Sequence, residues 1–135
     1  MATIEYHGKY KKLFPGVLSS NSFLSVYILH MLSSTTRMYG KEIVDSITER
    51  LDGTWEPSHG LVYPILRNLE DMTLIKGIWE DQDKKTKRFY HITDEGRKAL
   101  LAEVSNIRPM FEDARKMIDT VITDLYTPKG VQAHA

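Results

Sequence analysis

Cysteine is absent from all 135 residues, which excludes disulfides and thiolate metal sites and fits a reducing compartment. Long apolar runs are absent too. No stretch approaches the length that spans a bilayer, and no apolar run precedes a small-residue cleavage site at the N-terminus. A cytoplasmic location without a membrane partner is expected. There is no surplus of one charge either: 18 basic residues face 18 acidic ones, which counts against a general polyanion binder. Residues 1–36 carry Lys9, Lys11 and Lys12 against Glu5, while 37–98 and 99–135 each hold one excess acid. Any affinity for nucleic acid must therefore come from local clusters. Glycine-rich phosphate loops and histidine pairs at metal spacing are lacking, and the carboxylates fall on faces that read as solvated. No enzyme, metal or cofactor is expected. The length suits one domain with a real core.

What is present centres on Glu56 to Met72. Leu61, Ile65, Leu69 and Met72, flanked by Val62 and Leu66, form the buried stripe of an α-helix. Ser58 is placed to cap it. His59, Tyr63 and Arg67 recur every four residues and so share the opposite face. An imidazole, a phenol and a guanidinium in one line suit base edges and phosphates, although an ordinary polar helix face has the same look. Pro64 would remove the hydrogen bond to Gly60, whose missing side chain leaves room for distortion.

Before this helix, a dense apolar run from Phe23 to Leu32 predicts a helix starting at Asn21 or Ser22 and buried on most sides. Such complete burial suggests a subunit interface, with Phe23 and Tyr27 in it and His30 a core or interface residue. Ser33 to Thr36 ends the helix. Ile43, Val44, Ile47 and Leu51 then mark a second helix over about Tyr39 to Leu51, with Gly53 where a left-handed residue is commonly needed. Trp55 reads as a core plug at the corner. Two short helices joined tightly make a helix-turn-helix.

After Met72 the period changes to that of a hairpin: Leu74 to Glu80, a turn at 81–86, and Lys87 to Thr93. Lys84, Lys85, Lys87 and Arg88 give four basic residues in five positions. They are a solubilising tip or, beside a helix-turn-helix, a wing aimed at phosphates. Thr93 caps a last helix in which Leu100, Val104, Ile107, Phe111, Ala114, Ile118, Val121 and Leu125 alternate steps of four and three. This seam, widened by Met110 and Met117, is longer than one small domain would cover, so a homodimer is expected. Pro109 should kink or split the helix. The N-terminal stretch with Lys9, Lys11 and Lys12 among Tyr6, Tyr10 and Phe14 is an arm on a phosphate backbone or a frayed end.

The expected fold is mainly α with a small β-hairpin. It comprises an arm over 1–20, a winged helix-turn-helix over 21–93, a dimerisation helix over 94–126 and a tail over 127–135. The chain resembles the PadR-like transcriptional regulators over roughly 22–126. The motifs are Tyr39-Gly40-x-Glu42-Ile43, Trp55-x-Pro57-Ser58-x-Gly60, Val62-Tyr63-Pro64-Ile65-Leu66-x-x-Leu69-Glu70, Leu74-Ile75, Trp79-Glu80 and Tyr90-x-Ile92-Thr93-x-x-Gly96. The Pro-Ser-x-Gly and Tyr-Pro block is specific to that family, while Ile-Thr-x-x-Gly recurs across winged helices. His59 replaces a usual proline, Leu61 a threonine or serine, and Thr73 a helix-ending glycine.

The resemblance implies a homodimeric repressor on a palindromic operator of double-stranded DNA. The DNA contacts, read from helix-face spacing and the basic hairpin and not carried over from the family, would be Ser58, His59, Gly60, Tyr63 and Arg67 on the recognition helix, with Lys84, Lys85, Lys87 and Arg88 on the wing. In some members of that family a small aromatic or cationic effector enters between the dimerisation helices and releases the DNA. The tryptophan of the multidrug-binding branch is missing there, and Met110, Phe111 and Met117 stand instead. The alternative is a winged-helix module in which Tyr63 and Arg67 bind a partner protein.

Overall fold

The structure, a computed structural model, describes residues 12–14 and 18–127. A short antiparallel pair, β1 (Lys12–Phe14) and β2 (Leu18–Ser19), leads into helix α1 (Ser20–Ser33). Then follow β3 (Met38–Tyr39), α2 (Gly40–Arg50), α3 (His59–Asp71), the hairpin β4 (Ile75–Trp79) and β5 (Arg88–Ile92), and α4 (Asp94–Tyr126). Lys9 and Lys11 of the expected arm lie outside the described residues, and Lys12 is described only as backbone of β1.

Local chemistry sets most of these boundaries. Ser58 Oγ accepts the Leu61 N–H at 3.2 Å and Thr93 Oγ1 accepts that of Gly96 at 3.0 Å, so both expected caps are present. For α1 the cap is Ser19, which accepts from Ser22 N–H, two or three residues earlier than expected. The cluster of serines around Asn21 offers several capping side chains, and only packing chooses among them. Helix α2 ends with Asp52 N–H on Glu49 O and Gly53 N–H on Thr48 O, both residues at positive φ.

Helix α3 ends in the same way, with Thr73 N–H on Glu70 O and Leu74 N–H on Leu69 O. Thr73 itself takes φ 59°, a conformation that a β-branched side chain strongly disfavours. Thr73→Gly is therefore expected to raise stability by about 1 kcal/mol, strain relief exceeding the added freedom of the unfolded chain. Urea unfolding of the two proteins checks this; a lower midpoint for the glycine variant would count against it.

The three-stranded sheet runs β3-β5-β4, all antiparallel. The hairpin is the expected one. Strand β3 was not expected; it pairs Tyr39 with Phe89 and Met38 with Tyr90. The core joins Leu24, Ile28, Leu29 and Leu32 of α1 to Ile43, Val44 and Ile47 of α2 and to Val62, Ile65, Leu66 and Leu69 of α3. Thus α1 is buried on most sides as expected, but its own chain buries it: α3, α4, β5 and β2 all pack on it. His30 is exposed and stacks on Tyr27 with ring centroids 6.2 Å apart, so it is not a core residue of this chain. Trp55 is partly buried beside Phe23 at 5.7 Å, the corner plug expected of it.

Helix α4 is one continuous element through Pro109, so the expected split does not occur. Its heptad seam divides between two uses. Leu100, Ile107 and Ala114, seven apart, are buried in the chain's own core. Val104, Phe111, Ile118, Val121 and Leu125 of the same seam are exposed, as are Met110 and Met117. Phe23 and Tyr27 are half-buried beside them, and Phe23 meets Phe111 edge to face at 6.5 Å. No helix among the described residues is long and apolar enough to cross a membrane.

Candidate nucleic-acid interface

The start of α3 is open. Ser58, His59 and Gly60 are exposed, and a side chain on Gly60 would meet nothing nearer than Ser58 Oγ at 3.9 Å. Pro64 is exposed as well, so the Gly60 carbonyl that loses its N–H partner lies on the wet side of the helix. Apolar residues hold the other face in the core, which fixes the direction of this one. His59 stacks on Tyr63 with centroids 5.5 Å apart and planes at 21°. Tyr63 is not fully solvent-facing, as the four-residue spacing suggested. Its ring is half-buried over Gly40, where any Cβ would collide with the phenol. The start of α2 and the reading face of α3 are thereby fitted together. Arg67 remains exposed.

The wing tip is built from local bonds. Asp81 Oδ1 accepts the N–H groups of Asp83 (2.9 Å) and Lys84 (3.2 Å), and Asp81 O accepts that of Lys85. One acid of the tip is thus spent on shaping the turn. Lys84, Lys85 and Lys87 are exposed. Lys87 Nζ sits 4.8 Å from the centre of the Tyr39 ring, and Arg37 Cζ 3.8 Å from that of Phe89. Arg88 differs from the three lysines. Its guanidinium bonds Glu70 Oε2 at 2.5 Å and lies against Trp79 and Tyr90, so it is engaged within the fold and not free for a phosphate. Sequence position alone groups it with the lysines, and it lines the same groove as Lys85 and Lys87, but its ion pair with Glu70 sets it apart from them.

Between α3, the start of α2 and the wing runs a groove of about 850 Å³. Among the described residues Lys41, Arg67, Lys85, Lys87 and Arg88 line it against Glu70 and Asp71, five basic side chains to two acidic ones in a chain of zero net charge. Tyr39, Tyr63, Trp79 and Tyr90 supply its aromatic walls. The hydrogen bond that Lys41 donates to Asp45, and that residue's charge, raise the pKa of Lys41, and burial raises that of Tyr90. Both side chains keep their proton at neutral pH. Tyr39, Lys41 and Arg37 escaped sequence reasoning. The Tyr39-Gly40 pair carried a signal, but a two-residue strand shows no period from which its pairing could be read.

Three helices capped by a small antiparallel sheet, with an exposed helix start beside a basic hairpin, define a winged helix-turn-helix. The profile of the transcriptional regulator PadR-like family matches residues 28–102, more than half of the chain, and the chain belongs to that family. Its members are transcriptional regulators, not enzymes. Among solved structures, the chain is similar to a protein from Thermoplasma acidophilum described as a transcriptional regulator. They share 24% identity and a TM-score of 0.60 over 78% of this chain and 93% of that one, a likeness of fold. RosR of H. salinarum is 25% identical, with a TM-score of 0.52 over 75% of this chain and 89% of that one. Bacillus subtilis PadR, solved in complex with operator DNA, is 29% identical with a TM-score of 0.52. That match covers 60% of this chain and 46% of that one. No curated protein matches.

Proposed function

We propose that the protein is a repressor that binds a palindromic operator as a homodimer. The observation that carries this reading is the basic groove beside α3, which gathers positive charge where a duplex would lie. The solved PadR complex with operator DNA supports it. In helix-turn-helix proteins the first residues of the second helix reach base edges. Ser58, His59 and Gly60 are those residues here, Tyr63 backs His59, and the exposed Arg67, two turns in, would hold a phosphate. Lys84, Lys85 and Lys87 meet the backbone from the wing. The exposed seam of Val104, Phe111, Ile118, Val121 and Leu125 joins two copies, and half-sites then fall one helical turn, about 34 Å, apart. The aromatic group of Phe23, Tyr27, Trp55 and Phe111 on the same flank is where a small aromatic or cationic effector would be sensed.

The experiment is selection of duplexes from a random library, followed by binding of variants to a selected and a scrambled duplex across salt concentrations. Lys84→Ala with Lys85→Ala should weaken both duplexes alike and flatten the salt dependence by about two units of slope. His59→Ala should cost about 1–3 kcal/mol on the selected duplex and little on the scrambled one. A parent without salt-dependent duplex binding would leave the protein-interaction module as the better account.

A further inference from the structure

Glu70 lies in the last turn of α3, one turn beyond Arg67. Its Oε2 accepts from Arg88 Nη2 at 2.5 Å and from the Gly77 backbone N–H at 3.1 Å. One donor belongs to β5 and the other to β4, so a single carboxylate on the reading helix holds both strands of the wing. Strand β4 is at the edge of the sheet, where no further strand among the described residues meets the backbone. The Arg88 guanidinium crosses Gly77, where a Cβ would collide with it, and lies 5.3 Å from the Trp79 ring centre and 6.0 Å from that of Tyr90. Both partners of the ion pair are only 28% exposed, so it is shielded from solvent more than an ordinary surface pair. Strand β4 joins the sheet through β5 alone among the described residues, and β3 adds only two paired residues on the other side. The hairpin of so small a sheet depends on packing against a helix for its stability and direction. Lysines at its tip reach phosphates only if the hairpin leaves the domain at a set angle to α3.

We propose that Glu70 is a positioning residue for DNA binding. By clamping Gly77 and Arg88 it sets the angle between wing and reading helix, so that Lys84 and Lys85 meet the backbone when α3 is seated. This rests on the DNA-binding reading above. A residue that merely stabilised the fold would weaken binding independently of the lysines, and effects of independent sites add. The test is a double-mutant cycle with Glu70→Ala and the paired Lys84→Ala, Lys85→Ala change, alongside hydrogen exchange of the Gly77 amide without DNA. In the parent, losing the two lysines should weaken duplex binding by about ten-fold or more. In the Glu70→Ala background the same loss should be under about three-fold, since the lysines no longer reach their phosphates.

Gly77 exchange should speed up by about ten-fold or more in Glu70→Ala, with core amides such as Ile43 unchanged. Glu70→Gln, which keeps an acceptor, should restore much of both. Equal lysine losses in the two backgrounds would overturn the proposal, and so would an unaltered Gly77 amide. A Gly77 amide that responds in a parent without salt-dependent duplex binding would overturn the DNA-binding reading, and the positioning role with it, while the clamp itself stood.

Discussion

Gly96→Ala is expected to destabilise the domain by about 3 kcal/mol, the upper end of what overpacking costs. Gly96 is in the first turn of α4, where alanine would ordinarily help a helix. Here the added Cβ would run into the backbone carbonyl oxygen of Leu74 and come within 2.7 Å of Ile92 Cγ1. The Leu74 carbonyl cannot step aside cheaply, because it accepts the Thr93 N–H at 3.1 Å. Next to it Thr93 Oγ1 donates to Thr73 O at 2.6 Å while accepting from Gly96, so cap, α3 terminus and hairpin root share one knot of bonds. Relief would require α4 to lift from the base of the wing. Gly60→Ala is the control: its Cβ enters open space, and stability should hold or rise by about 0.5–1 kcal/mol. Thermal and urea unfolding of the three proteins decide the matter. A Gly96→Ala protein as stable as the parent would mean that α4 does not dock so closely.

Phe111→Asp should separate the proposed dimer into folded monomers. In the single chain Phe111 is 38% exposed and touches Phe23 only by its edge, so an aspartate there can stay hydrated. Between two copies of the seam it would be buried without a partner, at about 3–5 kcal/mol, equivalent to a loss of two or more orders of magnitude in association. Val104, Ile118, Val121 and Leu125 on the same exposed line leave too much apolar surface for a lone helix in water. Sedimentation at several concentrations should show a dimer for the parent and a monomer for the variant, with unchanged helicity. A variant that remained dimeric would move the interface elsewhere. An unfolded variant would mean that Phe111 serves the chain's own core more than its exposure indicates.

Much of the fold was legible because it is encoded locally. Ser58 and Thr93 cap by their own hydroxyls, the buried stripe of α3 repeats at helical spacing, and the run from Asp81 to Thr86 bends through an Asx turn. These signals act within a few residues, which is the range over which periodicity and capping work. The winged helix-turn-helix followed from them, and so did the polar face at the start of α3; the family came from resemblance of its motifs, above all Pro57-Ser58-x-Gly60 and Tyr63-Pro64.

What only the tertiary structure decided depends on partners far apart in sequence. The heptad seam of α4 was expected to face a second copy, but its Leu100, Ile107 and Ala114 are buried in the core of their own chain, where α1 packs on α4. Periodicity reports that a face is buried and is silent on which surface buries it. Arg88 belonged by sequence to a basic cluster; Glu70, 18 residues away, takes it out of that cluster and into the root of the wing. Zero net charge argued against nucleic acid until folding placed Lys41, Arg67, Lys85 and Lys87 around one groove. Net charge is a sum over the chain, whereas a duplex meets the field of one face, and only the packing of helix, strand and wing sets which charges share that face.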